Sequence, residues 1–295
     1  MKILVVGDFH GEFPAFIPKF IKKQEIDLVI STGDYPSFST KEFFFKYVYG
    51  KKDIELWEII GKNKYKKMTS RDNRKGEKVI KKLNSLSVHV ITVLGNHDYS
   101  SPDDVKDIKK PKSPHFWKWD WDEKVMLSKF IDKMPNIKKA DYSYVKFGDL
   151  IFVGARGHSF PGIVKSRAYK KSRQKLEKIF KKFKKENKEG KLIFISHVPP
   201  YNTKIDLISA KDAHKKVKGK HYGSKLFKRL LKKYQPLLAV SGHIEESKGK
   251  DKIGKTIIIN AGSTHHGDYV LIDINENKGK IKKIKFYGKK KKPNH

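Results

Sequence analysis

Five short polar clusters carry the residue types that bind metals and move protons. They are Asp8-Phe9-His10, Gly33-Asp34, Gly95-Asn96-His97-Asp98, Ser196-His197 followed by Pro199-Pro200, and Gly242-His243-Ile244-Glu245. Carboxylates, imidazoles and an amide oxygen ligate divalent cations, and the same carboxylates and imidazoles act as general acids and bases. The 295-residue chain contains no cysteine, which excludes thiolate metal sites, iron–sulfur ligation, cysteine nucleophiles and a disulfide framework. Any metal must be held by His, Asp, Glu or Asn. Each cluster alone is a weak signal, since a Gly-Asp turn or a lone histidine after a strand is common and usually structural. Their order is informative, because each lies behind its own apolar run.

Those runs are the elements that must position the clusters. KILVV (2–6), DLVIS (27–31) and VHVITVL (88–94) read as buried strands that each deliver a polar loop at the C-terminal end. Residues 13–25 can form a helix with Phe16, Ile17, Phe20 and Ile21 on one face. The opening is therefore β-α-β-α-β, and in open α/β sheets ligands sit beyond the carboxyl ends of the strands. Further strands are expected at 142–147, 150–155, 192–196, 237–241, 256–260, 269–274 and 280–286, with Gly148-Asp149 as a hairpin turn. A basic amphipathic helix is expected between Ser166 and Lys188, with Leu176, Ile179, Phe180 and Phe183 on its apolar face. A second runs over 225–234 and stops before Pro236. Ser224 is suited to cap it, and such a helix start either takes a phosphate or is simply capped.

Two Lys-rich segments, about 39–78 and 99–140, read as insertions into a single domain spanning 1–288, and 289–295 as a basic tail. The second holds His115-Phe116-Trp117-Lys118-Trp119-Asp120-Trp121. This pattern fits either a surface that stacks single-stranded nucleic acid or one buried face of an extended segment. His115, His214, His265 and His266 lie in no cluster and are read as having no role.

The formal charge of +35 arises from 67 Lys+Arg against 32 Asp+Glu, and 61 of the basic residues are Lys. Grips on phosphate backbones often use Arg, whose planar fork binds in bidentate fashion, so this balance fits a Lys-rich proteome as well as attraction to polyanions such as nucleic acid. With 37% hydrophobic residues, including 18 Phe and 13 Tyr, the chain can bury a sizeable core, and wholesale disorder is excluded. The first apolar run is too short for a signal peptide, and no segment approaches a membrane span. The expectation is a soluble, cytoplasmic protein.

The ordered clusters resemble the calcineurin-like metallophosphoesterase superfamily, whose pattern is D-x-H, G-D, G-N-H-D/E, H and G-H-x-H. A closer resemblance, to the Icc-related predicted phosphoesterases of archaea and bacteria, is carried by HVPPYNTKIDL, KHYGSK, YQPLLAVSGHIEES and DKIGKTIIINAGS. It implies an α/β (α+β) fold, a four-layer α-β-β-α sandwich with two facing mixed β-sheets. It also implies two divalent metal ions, Mn²⁺ foremost, with Fe, Zn, Mg or Ni as alternatives. Asp8 and His10 would bind the first metal, Asp34 would bridge, and Asn96, His197 and His243 would bind the second. A bridging hydroxide would then attack phosphorus in line with the leaving group. His97 would stabilise transition-state charge or protonate the leaving oxygen, with Asp98 orienting it.

Two positions depart from the pattern. Glu245 stands where G-H-x-H has its last histidine, and a carboxylate there gives a harder ligand set that favours Mn²⁺ or Mg²⁺. Ser37 stands where many phosphatases have a second Asp in G-D-x-x-D. Arg156 and His158 in the GARGHSFPG loop, and His221, Gly223 and Ser224 before the helix, are candidates for substrate contact. The implied function is a phosphodiesterase acting on nucleotide or nucleic-acid phosphodiesters. The alternative is a catalytically impaired protein that binds nucleotide or nucleic acid at a degenerate metal site.

Overall fold

Among the described residues, twelve strands form two six-stranded sheets. The structure, a computed structural model, describes residues 1–51, 54–98, 117–124, 126–156, 167–209, 215 and 217–288. His115, Phe116, His158, His214 and the tail lie outside them. The strands are β1 (Lys2–Val6), β2 (Leu28–Ser31), β3 (His89–Thr92), β4 (Ile137–Lys139), β5 (Ser143–Phe147), β6 (Leu150–Ala155), β7 (Leu192–Ser196), β8 (Leu238–Ser241), β9 (Gly249–Ile253), β10 (Thr256–Asn260), β11 (Tyr269–Asn275) and β12 (Lys280–Tyr287). The helices are α1 (Phe16–Gln24), α2 (Lys41–Phe43), which runs into a π-helical turn over Phe44–Val48, α3 (Leu56–Ile60), α4 (Lys62–Asn84), α5 (Lys118–Lys124), α6 (Met126–Ile131), α7 (Arg167–Lys182), α8 (Lys184–Lys188) and α9 (Lys225–Tyr234).

One sheet has the order β12-β11-β1-β2-β3-β4, the other β5-β6-β7-β8-β10-β9. In each, four adjacent strands run parallel; β11 and β12 add antiparallel pairings on one side of the first sheet, and β5 and β9 add one at each edge of the second. Alternation along the strands gives each sheet two apolar faces. Ile3, Val5, Leu28, Ile30, Ile91 and Val93 meet Phe152, Ile193, Ile195, Leu238, Val240 and Ile259 in the central core between the sheets. The outward residues of the first sheet, such as Leu4, Val29 and Val90, pack on Ile17 and Ile21 of α1 and Val79, Ile80 and Leu83 of α4. Those of the second, such as Val153, Phe194 and Ala239, pack on Leu176 and Phe180 of α7 and on Leu226, Leu230 and Leu231 of α9. The result is the four-layer α-β-β-α sandwich expected from the sequence.

Helix α9 matches its expected limits: the Ser224 hydroxyl accepts from the Phe227 N–H at 3.3 Å, and Gln235 closes the helix in the left-handed conformation. The helix expected over 166–188 is divided, because Phe183 leaves helical geometry and is buried in the core beneath α7. Two edge strands escaped the sequence reading. β4 is three residues long, and β9 (GKDKI) carries exposed lysines, the charged edge that blunts pairing with other chains. Helix α4 begins inside the 39–78 stretch and continues to Asn84, with its last turns in the core. Of the Trp cluster, the described residues from Lys118 onward are helical, not extended. Trp119 lies in α5, its ring 4.9 Å from that of Trp117, which meets Trp57 at 5.6 Å, and Tyr65 contacts both Trp117 and Trp119. Lys62 and Lys66 lie over these rings.

Candidate metal centre

Five strands with parallel neighbours, β1, β2 and β3 from one sheet and β7 and β8 from the other, end at the same edge of the sandwich and deliver the five polar clusters to one place. Backbone bonds lock the loops together. Asp8 and Phe9 donate to the carbonyls of Gly33 and Asp34, both at 2.9 Å, and Gly242 donates to the carbonyl of His197 at 2.9 Å. Asp8, His10, Asp34 and His243 all have φ between 45° and 70°, a left-handed conformation that non-glycine residues rarely hold. Such strain concentrates where a loop must aim a side chain. Two glycines are required by close approach: a Cβ on Gly95 would lie 1.9 Å from Asp34 Oδ1, and one on Gly242 would lie 2.3 Å from Asp8 Oδ2.

Three groups of side chains converge so that their ligand atoms lie within 4.8 Å of one another: Asp8, His10 and Glu245; Asp8, Asp34 and His197; and His10, Asp34 and His97. The groups overlap through Asp8, His10 and Asp34. His10 Nε2 is 2.8 Å from Glu245 Oε1. Asp34 Oδ2 is 3.5 Å from His197 Nε2 and 3.8 Å from His97 Nε2. Asn96 Oδ1 is 2.8 Å from His197 Nε2, and the ring of His243 lies 4.9 Å from that of His197.

The donor set fits divalent cations on the geometry of His197. Its Nδ1 donates to the Thr32 carbonyl at 2.8 Å, which fixes the ring and turns Nε2 toward Asn96 Oδ1 and Asp34 Oδ2. A ring nitrogen anchored to a backbone carbonyl while its partner faces other acceptors is the usual setting of a metal-binding histidine.

The charges agree with this arrangement. Burial drives the Asp8 carboxyl well above its ordinary value, and the nearby Asp34 and Glu245 charges add to the effect. Burial works against the charged form of His10, but its bond to Glu245 and the surrounding carboxylates outweigh it and raise the imidazole to about 9. For Glu245 burial is likewise outweighed, by His10, and the carboxyl falls to about 2. Burial lowers His97 to about 4 and His243 to about 3, so both rings are neutral near pH 7.

Asp98 is turned away from the role of orienting His97. Its Oδ2 accepts from the N–H groups of Asp34 (2.9 Å) and Gly95 (2.7 Å), and its Oδ1 from Tyr35 (2.9 Å). Buried without a countercharge and near Asp34, its carboxyl rises to about 7. Ser37 donates to Asp72 on α4 at 2.6 Å, and the next residue, Phe38, lays its ring 4.2 Å from that of His97. Arg156 follows β6 and packs on the ring of Tyr142, within electrostatic reach of Asp141, which accepts from the Leu94 N–H at 3.0 Å. His221 Nδ1 is 2.8 Å from buried Asp206, whose carboxylate also accepts from the N–H groups of Asn202, Thr203 and Gly223. A Cβ on Gly223 would lie 2.6 Å from the Pro200 carbonyl.

In the sequence the INAGS stretch carries part of the resemblance but no assigned role; folded, the loop after β10 contributes to the site. Ser263 donates to the Asp8 carbonyl at 3.0 Å, and Thr264 exchanges two bonds with the Gly7 backbone, so the INAGS stretch clamps the Asp8 loop. It also brings His266 Nδ1 to 3.4 Å from Glu245 Oε2 and the His265 ring to 6.3 Å from that of His10. The Asn-Ala-Gly-Ser-Thr run ahead of the two histidines was the available signal.

A family model described as calcineurin-like phosphoesterase matches residues 1–246. The chain belongs to that family. It is therefore a metal-dependent phosphoesterase, and the matched span contains all five clusters. A curated relative, the uncharacterised protein MJ1162 of Methanocaldococcus jannaschii, is 26% identical over 266 residues, covering 88% of this chain and 87% of its own. Among solved structures, one superposes with a TM-score of 0.64 at 17% identity, covering 97% of this chain and 98% of its own. The structure of TT1561 of Thermus thermophilus does so with a TM-score of 0.53 at 15% identity, covering 97% and 98%. Both likenesses concern the fold. Among the described residues of this calcineurin-like phosphoesterase, no helix is long and apolar enough to cross a membrane.

Proposed function

We propose that this chain is a phosphodiesterase acting on nucleotide or nucleic-acid phosphodiesters at a dinuclear centre suited to Mn²⁺. The observation that carries the proposal is the overlap of three donor groups through Asp8, His10 and Asp34, because sharing of carboxylates is what two adjacent cations require. Asp8, His10 and Glu245 would hold one cation, Asn96, His197 and His243 the other, and Asp34 would lie between them. Bound there, divalent cations supply Lewis acidity that lowers the pKa of water and screens the phosphoryl charge. Glu245 sits where the pattern has histidine and reaches the same neighbours, Asp8 and His10. We assign it as a ligand.

His97 directs a neutral imidazole at the oxygens of the reacting phosphoryl group, where an N–H donor favours the more charged transition state. Asp98 acts through the backbone by fixing the Gly95 and Asp34 loops against each other. The Lys-rich surface raises the local concentration of an anionic substrate and gives salt-sensitive binding to nucleic acid. Arg156, His221 and the Gly223-Ser224 turn are assigned to the substrate side. The test is hydrolysis of bis-p-nitrophenyl phosphate against p-nitrophenyl phosphate after chelator treatment and Mn²⁺ titration. We expect metal-dependent cleavage that favours the diester, and loss of about 10² or more in turnover for His97→Ala with metal content kept. No cleavage of either compound at any metal concentration would favour the binding-protein alternative.

A further inference from the structure

The segment from Phe38 to Tyr49 is anchored to α4 through Ser39, which donates to Asp72, and its aromatic residues lie outside the three apolar cores. Phe43, Phe44, Phe45, Tyr47, Val48 and Tyr49 form an almost continuous apolar run, yet each is only half-buried, and none joins the three apolar cores. Large aromatics normally bury most of their area, and a cluster of partly exposed ones marks a binding surface. Four of these residues, together with Lys46, form a π-helical turn, a rare conformation found mostly at functional sites.

The run is tied to the metal centre at one end and to the loop before α9 at the other. At one end the Phe38 ring lies against His97 at 4.2 Å and meets Phe44 at 6.1 Å. At the other, Phe44 and Phe45 meet Tyr49 at 6.0 and 5.3 Å, and the Tyr49 hydroxyl bonds that of Tyr222, next to His221. A continuous aromatic wall thus leads from His97 to the loop before α9. Lys46 and Lys64 lie over Tyr47 and Phe43, placing positive charge beside the rings.

We propose that this wall stacks a planar aromatic group of the substrate, the base of a nucleoside on the side of the phosphate that faces His97. The inference rests on the phosphodiesterase reading for the position of the phosphate, and it adds the element that selects for a base. Rings offer a face to any base, so the wall selects nucleotides over sugar phosphates without reading sequence.

Binding to the Mn²⁺-loaded full chain is measured calorimetrically for adenosine 5′-monophosphate and for ribose 5-phosphate, which differ only by the base. The nucleotide should bind about tenfold or more tightly, the fold-change expected for one stacked base. Phe44→Leu should bring the two affinities to within about threefold, and Phe44→Tyr, which keeps the ring, should retain the wild-type ratio. Equal affinities in the wild type, or a ratio unchanged in Phe44→Leu, would overturn the wall. Diester hydrolysis is followed on the same samples. Hydrolysis with equal affinities removes the wall and leaves the phosphodiesterase reading. A ring-dependent preference without hydrolysis removes that reading and leaves a base-binding wall.

Discussion

The loops at the strand ends and the aromatic, Lys-rich stretches beside them solve opposite problems with the same chain. In the loops nearly every atom is committed. Asp8 and Asp34 are buried, four residues hold left-handed backbone, and Gly95 and Gly242 have no room for a methyl group. In the stretch 41–49 no side chain is fully buried, and the rings touch mostly one another. The first region places a few polar atoms to within tenths of an ångström, whereas the second presents broad apolar faces whose exact placement matters little. Residue choice should accordingly be strict in one region and tolerant in the other.

Substitutions can break or sharpen that contrast. The largest effect is expected for Gly95→Ala, whose new carbon must displace the Asp34 carboxylate: turnover should fall by about 10² or more, the usual result of shifting a reacting group by an ångström. Steady-state kinetics with Mn²⁺ in excess would check it, and a loss of less than threefold would show that the loop is not tightly committed. Truncating the central core, as in Ile30→Ala, should cost about 2–5 kcal/mol in urea unfolding. Asp98→Asn replaces an oxygen that accepts backbone N–H bonds with an amide nitrogen that donates, so about 1–3 kcal/mol should be lost. It should also weaken turnover together with metal affinity, since Asp98 holds the Asp34 and Gly95 loops. Ser224→Ala removes the cap of α9 and should cost about 1 kcal/mol. The smallest effect is expected for Lys66→Ala, about 0.5–1 kcal/mol from the cation over Trp119, with catalysis unchanged. A large catalytic loss there would erase the distinction between the regions.

The same contrast explains what could be read from the sequence. The strands β1, β2, β3, β7 and β8 were legible because each is a short apolar run closed by a polar turn, and the turn residues are constrained by both backbone and chemistry. Helix α9 was legible to the residue because Ser224 and Pro236 bracket it. The aromatic and Trp stretches were not, because their order comes from rings packing across distant positions, such as Trp57 on Trp117, which leaves no local period. Asp98 falls to His97 through the resemblance, whereas three backbone N–H groups claim its carboxylate, and such partners have no signature in side-chain types. His266 was set aside as a residue outside any motif. Only the hydrogen bonds that clamp the Ser263-Thr264 loop onto Gly7 and Asp8 bring it to Glu245.

The central claim is that five strand-end loops build one centre for two cations with Asp34 between them. The most direct measurement is the metal content of Mn²⁺-loaded protein after removal of excess ion, determined by elemental analysis beside Asp34→Asn and Glu245→Gln. Two Mn²⁺ per chain are expected in the wild type, with less than one retained in Asp34→Asn and a deficit confined to one ion in Glu245→Gln. A single ion in the wild type, or two ions undiminished in Asp34→Asn, would contradict it.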